Sequence, residues 1–404
     1  MNVSKKIRVL QINSHTSIAT STGKQVVGLH NYFKTHGIDS FVAYSEDENT
    51  FDKHFINYGC KIDKYISALL TRFFSNRYGR GNLSTSKLIR IVNKINPDVV
   101  HIHCINCYDV NIYRFLNFLS KKNIPIVITE HAEFFYTGSC SHAFDCKQYE
   151  TRCTKCPRLF FSTKSFIAMG PKRQWVKMNT AFSKIKRCTI ASVSPWLMER
   201  SNKSPILNRF RHLCIYNGIT EDTISSPVLS SPYGNNYFLF VSSDPKTKNK
   251  GITHLFKIAS TMPDDIFLII GKVYNETKKE TKLKNIIFAG EIKDPNLLNE
   301  IYKNAKATLV LSKVETFSMV VAESLINGTP VFGFKAGGPE SISIEQYSFF
   351  VDYGDINSLI RKMKDFDYNS VDKNTIRIIA RKKFSMNSIA KQYKNLYFDL
   401  LSKK

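Results

Sequence analysis

Short runs rich in Val, Ile and Leu alternate along this chain with longer amphipathic stretches, and the alternation comes in two series. The first opens on IRVLQI (Ile7 to Ile12), followed by a helical stretch from Lys24 to Thr35 and then GIDSFVAY. PDVVHIH (Pro97 to His103) and IPIVITEH (Ile124 to His131) read as further buried parallel strands. CTIASVS (Cys188 to Ser194) continues the series, with Ser194 and Pro195 as a helix start. The second series has strands at Asn236 to Ser243, Asp265 to Gly271, Asn285 to Ile292, Ala307 to Ser312 and Thr329 to Phe334. Helical stretches at Gly251 to Ser260 and Asn296 to Asn304 lie between them. The segment LCIYNGITEDTISSPVLSSPYGNN, rich in Ser, Pro, Asn and Gly, reads as a linker. Strand and helix alternating in two series predict an α/β chain of two Rossmann-like, doubly wound domains facing a central cleft.

Length agrees: 404 residues are long for one core and suit two domains. Hydrophobic residues make up 43% of the chain, which argues for packed structure rather than disorder. The unusual quantity is charge. With 58 Lys and Arg against 33 Asp and Glu, the formal net charge is +25. Such an excess attracts nucleic acid, anionic membrane or phosphorylated small molecules, unless the lysines merely solubilise the surface. The sequence has no recognisable nucleic-acid module of clustered basic and aromatic residues, so a nucleic-acid partner is not expected. The charged start MNVSKKIRVLQINSH has too short an apolar run for a signal-peptide core. No stretch approaches the roughly 18 apolar residues that span a bilayer. The expectation is a cytoplasmic protein, with any membrane contact peripheral and on the inner face.

Candidate chemistry lies at strand ends. G-x-G-x-x-G and the P-loop pattern are both missing. STGK (Ser21 to Lys24) stands between the first strand and first helix, where amides can face an anion. DPKTKNKG (Asp244 to Gly251) follows the first strand of the second series and carries Lys246, Lys248 and Lys250. VETFSMVVAESLINGTPV (Val314 to Val331) places Glu315 and Glu323 eight residues apart before a Gly-Thr-Pro turn.

In this order DPKTKNKG, the Glu-x7-Glu element, Gly-Thr-Pro-Val and Gly-Gly-Pro-Glu resemble the retaining family 4 glycosyltransferases of the GT-B fold. The linker's YNGI resembles the family's Asn-Gly-Ile-Asp. In the first half, TEHAEFFYTGSC, the cysteines ending in CTKCP and SVSPWLMERSNKSPIL resemble enzymes of the colanic-acid or exopolysaccharide type. The resemblance implies an acceptor-side domain at 1–215 and a nucleotide-sugar domain at 216–385. A C-terminal helix at 386–404 would cross back to the first domain. It implies a retaining, metal-independent transfer of a hexose or related sugar from a nucleotide-diphosphate sugar. The acceptor would be a polyprenyl-linked or other glycan of bacterial capsule, O-antigen or exopolysaccharide.

By the same resemblance Lys250 is the phosphate lysine, with Lys246 or Lys248 in place of an absent arginine. A lysine offers a point charge where arginine offers a fork. Glu315 and His131 would lie near the donor sugar and Glu323 would accept from ribose hydroxyls. Thr316, Phe317, Ser318 and Met319 begin a helix whose amides face the diphosphate. Gly23 stands in the family's Gly-Gly loop, here Thr22-Gly23, and Ala132 stands where the family has Asp. Fixed cations and helix-end amides suffice in principle to stabilise a leaving diphosphate.

Cys140, Cys146, Cys153 and Cys156 are spaced C-x5-C-x6-C-x2-C. They are a candidate structural zinc site, with free thiols and disulfides as the other readings. YISALLTRFFSNRYGR (Tyr65 to Arg80) mixes Leu, Phe and Tyr with three arginines. It reads either as an interfacial helix for anionic lipid or as a core-facing helix with a basic outer side. Two competing functions are a sugar-nucleotide epimerase of the same fold, which would lack the Glu315/Glu323 arrangement, and a nucleic-acid-binding protein explained by charge alone.

Overall fold

The structure is a computed structural model that describes residues 6–46, 52–74, 76–160, 170–220, 231–247, 249–272 and 281–402. It divides into two compact units, one comprising Met1–Tyr216 with Ala390–Lys404 and the other Asn217–Ile389.

The first unit is built on β1 (Ile7–Ile12), β2 (Ile38–Tyr44), β3 (Phe55–Asn57), β4 (Val99–Ile102), β5 (Ile126–Glu130), β6 (Cys188–Ser192) and β7 (Arg211–Cys214). They pair in the order β3-β2-β1-β4-β5-β6-β7, all parallel. Strands β4, β5 and β6 are buried at every position, because helices cover both faces of a parallel sheet. The sequence pattern finds these interior strands. It does not find β3, and it assigns Leu213 and Cys214, the second half of β7, to the linker. Both edge strands are short and half exposed, so they carry no apolar run to recognise.

The second unit contains β8 (Tyr237–Val241), β9 (Phe267–Ile270), β10 (Ile286–Gly290), β11 (Ala305–Val310), β12 (Val331–Phe334) and β13 (Ser348–Val351). Their order is β10-β9-β8-β11-β12-β13, again parallel. Period-two alternation splits its core cleanly. Phe238, Phe240, Phe267 and Ile269 join one apolar cluster, while Tyr237, Leu239, Leu268 and Ile270 join another. Edge strand β13 also lies outside the sequence expectation.

Each sheet has the order of a doubly wound nucleotide-binding fold, in which the chain leaves the central pair of strands in opposite directions. Ligands then bind beyond the carboxyl ends of that pair: β1 and β4 in the first unit, β8 and β11 in the second. The last helix, Met386–Ser402, brings two buried tyrosines to the first unit's sheet. Tyr393 Oη lies 2.7 Å from Thr129 Oγ1, and Tyr397 Oη lies 2.6 Å from His101 Nδ1.

Candidate functional site

Beyond β8 and β11 two loops, 242–251 and 311–318, meet side by side. The Asn249 side chain fastens them. Asn249 donates through Nδ2 to Val314 O (2.8 Å) and accepts from Val314 N (3.1 Å), while its carbonyl accepts from Lys313 N (2.8 Å). Next to it Lys250 Nζ donates to Glu315 Oε1 at 2.8 Å, and Ser312 Oγ donates to the same oxygen at 2.6 Å. Gly251 makes this approach feasible: its φ is +82°, and a Cβ there would sit 2.2 Å from Leu311 O.

The Glu315 backbone is pinned as well. Its N–H donates to Ala336 O (3.0 Å) and its carbonyl accepts from Gly338 N (2.8 Å). A Cβ at Gly338 would lie 2.5 Å from Phe317 N, so only glycine lets the Gly-Gly-Pro-Glu loop close on this segment. Glu340 turns back to accept from the amides of Ala336 (2.9 Å) and Gly337 (2.8 Å). Burial pushes the Glu315 carboxyl up, but the Lys250 ammonium and the Ser312 hydroxyl more than offset it. The net result is a carboxylate held below its ordinary pKa.

The helix that follows starts at Met319, later than expected. Thr316 to Ser318 form a bend that ends on Ser318 at φ +78°, and Phe317 is buried beside Phe384. The helix Met319–Ile326 thus points its start, with amides that have no intrahelical partner, along the same loop. One turn further on, Glu323 Oε2 accepts from Tyr302 Oη at 3.1 Å. Tyr302 is fully buried, and burial together with the Glu323 carboxylate pushes its phenol well above the ordinary value, so it stays a donor and holds Glu323 in place. Lys246 lies in the first loop, its amide bonded to Asp244 Oδ1 at 3.1 Å. Lys248 lies outside the described residues.

In the first unit His131 follows β5 directly. Its Nε2 lies 3.2 Å from Nδ1 of His103, and the His103 ring lies 4.0 Å from that of His101. His101 is bonded through Nε2 to Thr129 Oγ1 at 2.6 Å. This row of three rings was not foreseen, although two histidines at i and i+2 on one strand must share a face. Burial keeps all three neutral, lowering His131 to about 4, His101 to about 3 and His103 well below the ordinary value. Nearby, burial raises the Glu130 carboxyl to about 8 despite the hydrogen bond from Ser192.

These shifts set a pH dependence of stability. The histidines' contribution is complete above pH 6.5 and is lost as pH falls toward about 4, since only the unfolded chain then takes up protons. The Glu130 contribution is complete below 4.5 and is lost as pH rises through about 8. Three histidines outweigh one carboxyl on the acid side. Urea unfolding against pH will therefore show a maximum near pH 6.5, with about 1.4 kcal/mol per net proton per pH unit lost below it. Glu130→Gln will flatten the alkaline limb.

Two expectations shift. Gly23 lies inside the helix Ser21–Thr35 rather than in a loop before Lys24, and its amide donates to Thr20 Oγ1 at 3.1 Å. That amide is spent on the helix cap, and the missing side chain serves packing: a Cβ would meet Ser17 O at 2.0 Å. The cysteines Cys140, Cys146, Cys153 and Cys156 are free thiols, and burial raises Cys140 and Cys153 to about 12. Among the described residues no three His, Cys, Asp or Glu side chains converge as a metal site requires. The loop they occupy is held instead by Glu133, which accepts from Arg200 Nε (2.8 Å), Tyr136 Oη (2.9 Å) and Ala143 N (2.5 Å).

Comparison with known proteins places one family match within each unit. The family model for glycosyl transferases group 1 matches residues 222–383, and the glycosyl transferase 4-like model matches residues 9–162. A search of curated proteins returns no match. Among solved structures, sucrose-phosphate synthase from Thermosynechococcus elongatus superposes with a TM-score of 0.67 at 14% identity, covering 99% of this chain and 100% of that one. Anabaena HepE in complex with UDP and glucose gives 0.62 at 15% identity, covering 97% and 100%. The lipopolysaccharide outer core galactosyltransferase WaaB gives 0.64 at 13% identity, covering 97% and 99%. At these identities the likeness is one of fold, and that fold is GT-B.

Proposed function

We propose that this glycosyltransferase, marked as one in both halves, moves a sugar from a nucleotide-diphosphate sugar to a glycan acceptor with retention at the anomeric carbon. The acceptor is a polyprenyl-linked or other glycan of bacterial surface polysaccharide. The observation that carries the reading is the Lys250–Glu315 pair, set by Asn249 at the carboxyl ends of β8 and β11. UDP and glucose in the HepE structure, and the lipopolysaccharide substrate class in the name of WaaB, favour the same donor and acceptor chemistry.

In this reading Lys250 uses one of its three donors on Glu315 and offers the others to the departing diphosphate. Lys246 and, by its place in the sequence, Lys248 add charge from the segment after β8, and the amides at Met319 add it from the segment after β11. Glu315, kept ionised by Lys250, accepts from sugar hydroxyls. Glu323, steadied by Tyr302, accepts from the ribose. His131, held neutral beside His103, donates or accepts a hydrogen bond at the reacting sugar without adding charge.

The test is a thermal-shift and turnover screen over UDP-, GDP- and dTDP-sugars, with product anomers assigned by NMR. One donor class at a hundred times its Kd will raise the unfolding midpoint by about 5 °C, and its product will keep the donor's anomeric configuration. Failure of every sugar nucleotide to stabilise the protein or turn over would remove the reading.

A further inference from the structure

The helix Lys61–Phe74 is amphipathic, and it is mounted with its apolar side outward. At about 100° per residue, Ile62, Tyr65, Ile66, Leu69 and Phe73 share one stripe. All five are exposed, Tyr65 to 74% and Ile62 to 70%. The face turned inward is small and polar. Ser67 and Thr71 are buried there, Ser67 Oγ accepting from Gly81 N at 3.0 Å and Thr71 Oγ1 donating to Ser67 O at 2.7 Å. This is the reverse of a core-facing helix. Phe74, the last residue of the helix, and Leu83 after it are exposed to 54% and 60%.

The charge around the stripe chooses its occupant. Residues 61–80 contain five basic side chains and one acidic side chain, Asp63. Lys64 is paired with Glu46, and Arg77 is half-buried on the carbonyls of Ser139 and Asn106. The other three are Lys61, Arg72 and Arg80. Asp63 is engaged in accepting Ser84 N at 3.0 Å, while Lys61 and Arg72 are exposed along one border of the stripe. A symmetric contact with a second copy would set this basic border against itself. An anionic bilayer has the opposite charge and an interior that accepts Leu, Phe and Tyr. Among the described residues no helix is long and apolar enough to cross a membrane.

We infer that the Lys61–Phe74 helix lies in the interface of an anionic lipid bilayer, its Ile62–Phe73 stripe among the acyl chains and its basic border at the headgroups. The inference is independent of the donor chemistry and survives its failure. It is tested by co-sedimenting the full-length protein with vesicles of phosphatidylglycerol and phosphatidylethanolamine, or of phosphatidylcholine alone. Wild type will partition at least about tenfold more strongly onto the anionic vesicles. Leu69→Glu with Phe73→Glu will lower that partitioning about a hundredfold, and Lys61→Glu with Arg72→Glu will abolish the lipid preference. Both variants replace exposed side chains, so circular dichroism and the unfolding midpoint will stay those of wild type. Equal partitioning of wild type and Leu69→Glu/Phe73→Glu, or no preference for anionic lipid, would overturn the inference. A dimer in analytical ultracentrifugation that the same substitutions dissociate would assign the face to a second copy and likewise overturn it.

Discussion

Lys250→Ala is expected to lower kcat between about a hundredfold and a thousandfold, the loss that follows removal of one preorganised group at a site of developing charge. Two effects act together. The departing diphosphate loses a cation already fixed at the mouth of β8 and β11. Glu315 also loses the partner that keeps it ionised against its burial, so its pKa rises. The second effect distinguishes this residue from a distant surface lysine. In the variant, kcat/KM will recover partly with rising pH as Glu315 ionises again, whereas wild type is flat across that range. Lys250→Arg will retain part of the activity, because the charge remains while its geometry changes. Steady-state kinetics against pH measure both. A fall of less than tenfold with an unaltered profile would remove Lys250 from the chemistry.

Glu133→Ala is expected to destabilise the first unit by about 3–5 kcal/mol, the cost of leaving one member of a buried ion pair unpaired. Its carboxylate is fully buried, and the Arg200 guanidinium is 13% exposed. Arg200 cannot turn to solvent without leaving the rings of Tyr149 and Trp196, whose centroids lie 4.8 Å and 4.7 Å away. The loss reaches beyond the pair, because Glu133 also receives Ala143 N and so anchors the loop from Cys140 to Cys146. Urea unfolding of Glu133→Ala, Arg200→Ala and the double variant gives the coupling. The double variant should lose clearly less than the sum of the two singles. Additive losses, or a single loss under about 1 kcal/mol, would contradict the assignment.

The interior of each sheet could be read from the chain because a parallel strand covered on both faces must be apolar at successive positions, as in VVHI and YFLFV. The edges could not. Phe55–Asn57 and Arg211–Cys214 are three and four residues long, and half exposed. Helix starts shifted by a few residues where a bend precedes the first turn, as at Thr316 to Ser318.

At the site, Lys250, Glu315 and Glu323 were marked by spacing and resemblance, whereas the residues that hold them were not. Asn249 looks like a turn residue in a lysine-rich loop, since its partners Lys313 and Val314 lie far away in sequence. Tyr302 looks like an ordinary core aromatic until its hydroxyl is seen on Glu323. For Lys61–Phe74 the period was legible, but periodicity alone does not say which face looks inward. Ser67 and Thr71 answer that.

In the proposed function the loops joined by Asn249 receive a nucleoside diphosphate through Lys250. Calorimetric titration of the donor's nucleoside diphosphate into wild type and Lys250→Ala tests it most directly. Binding to the variant will be weakened about thirtyfold or more, from loss of a charge-assisted contact. The same dissociation constant in both proteins would contradict it.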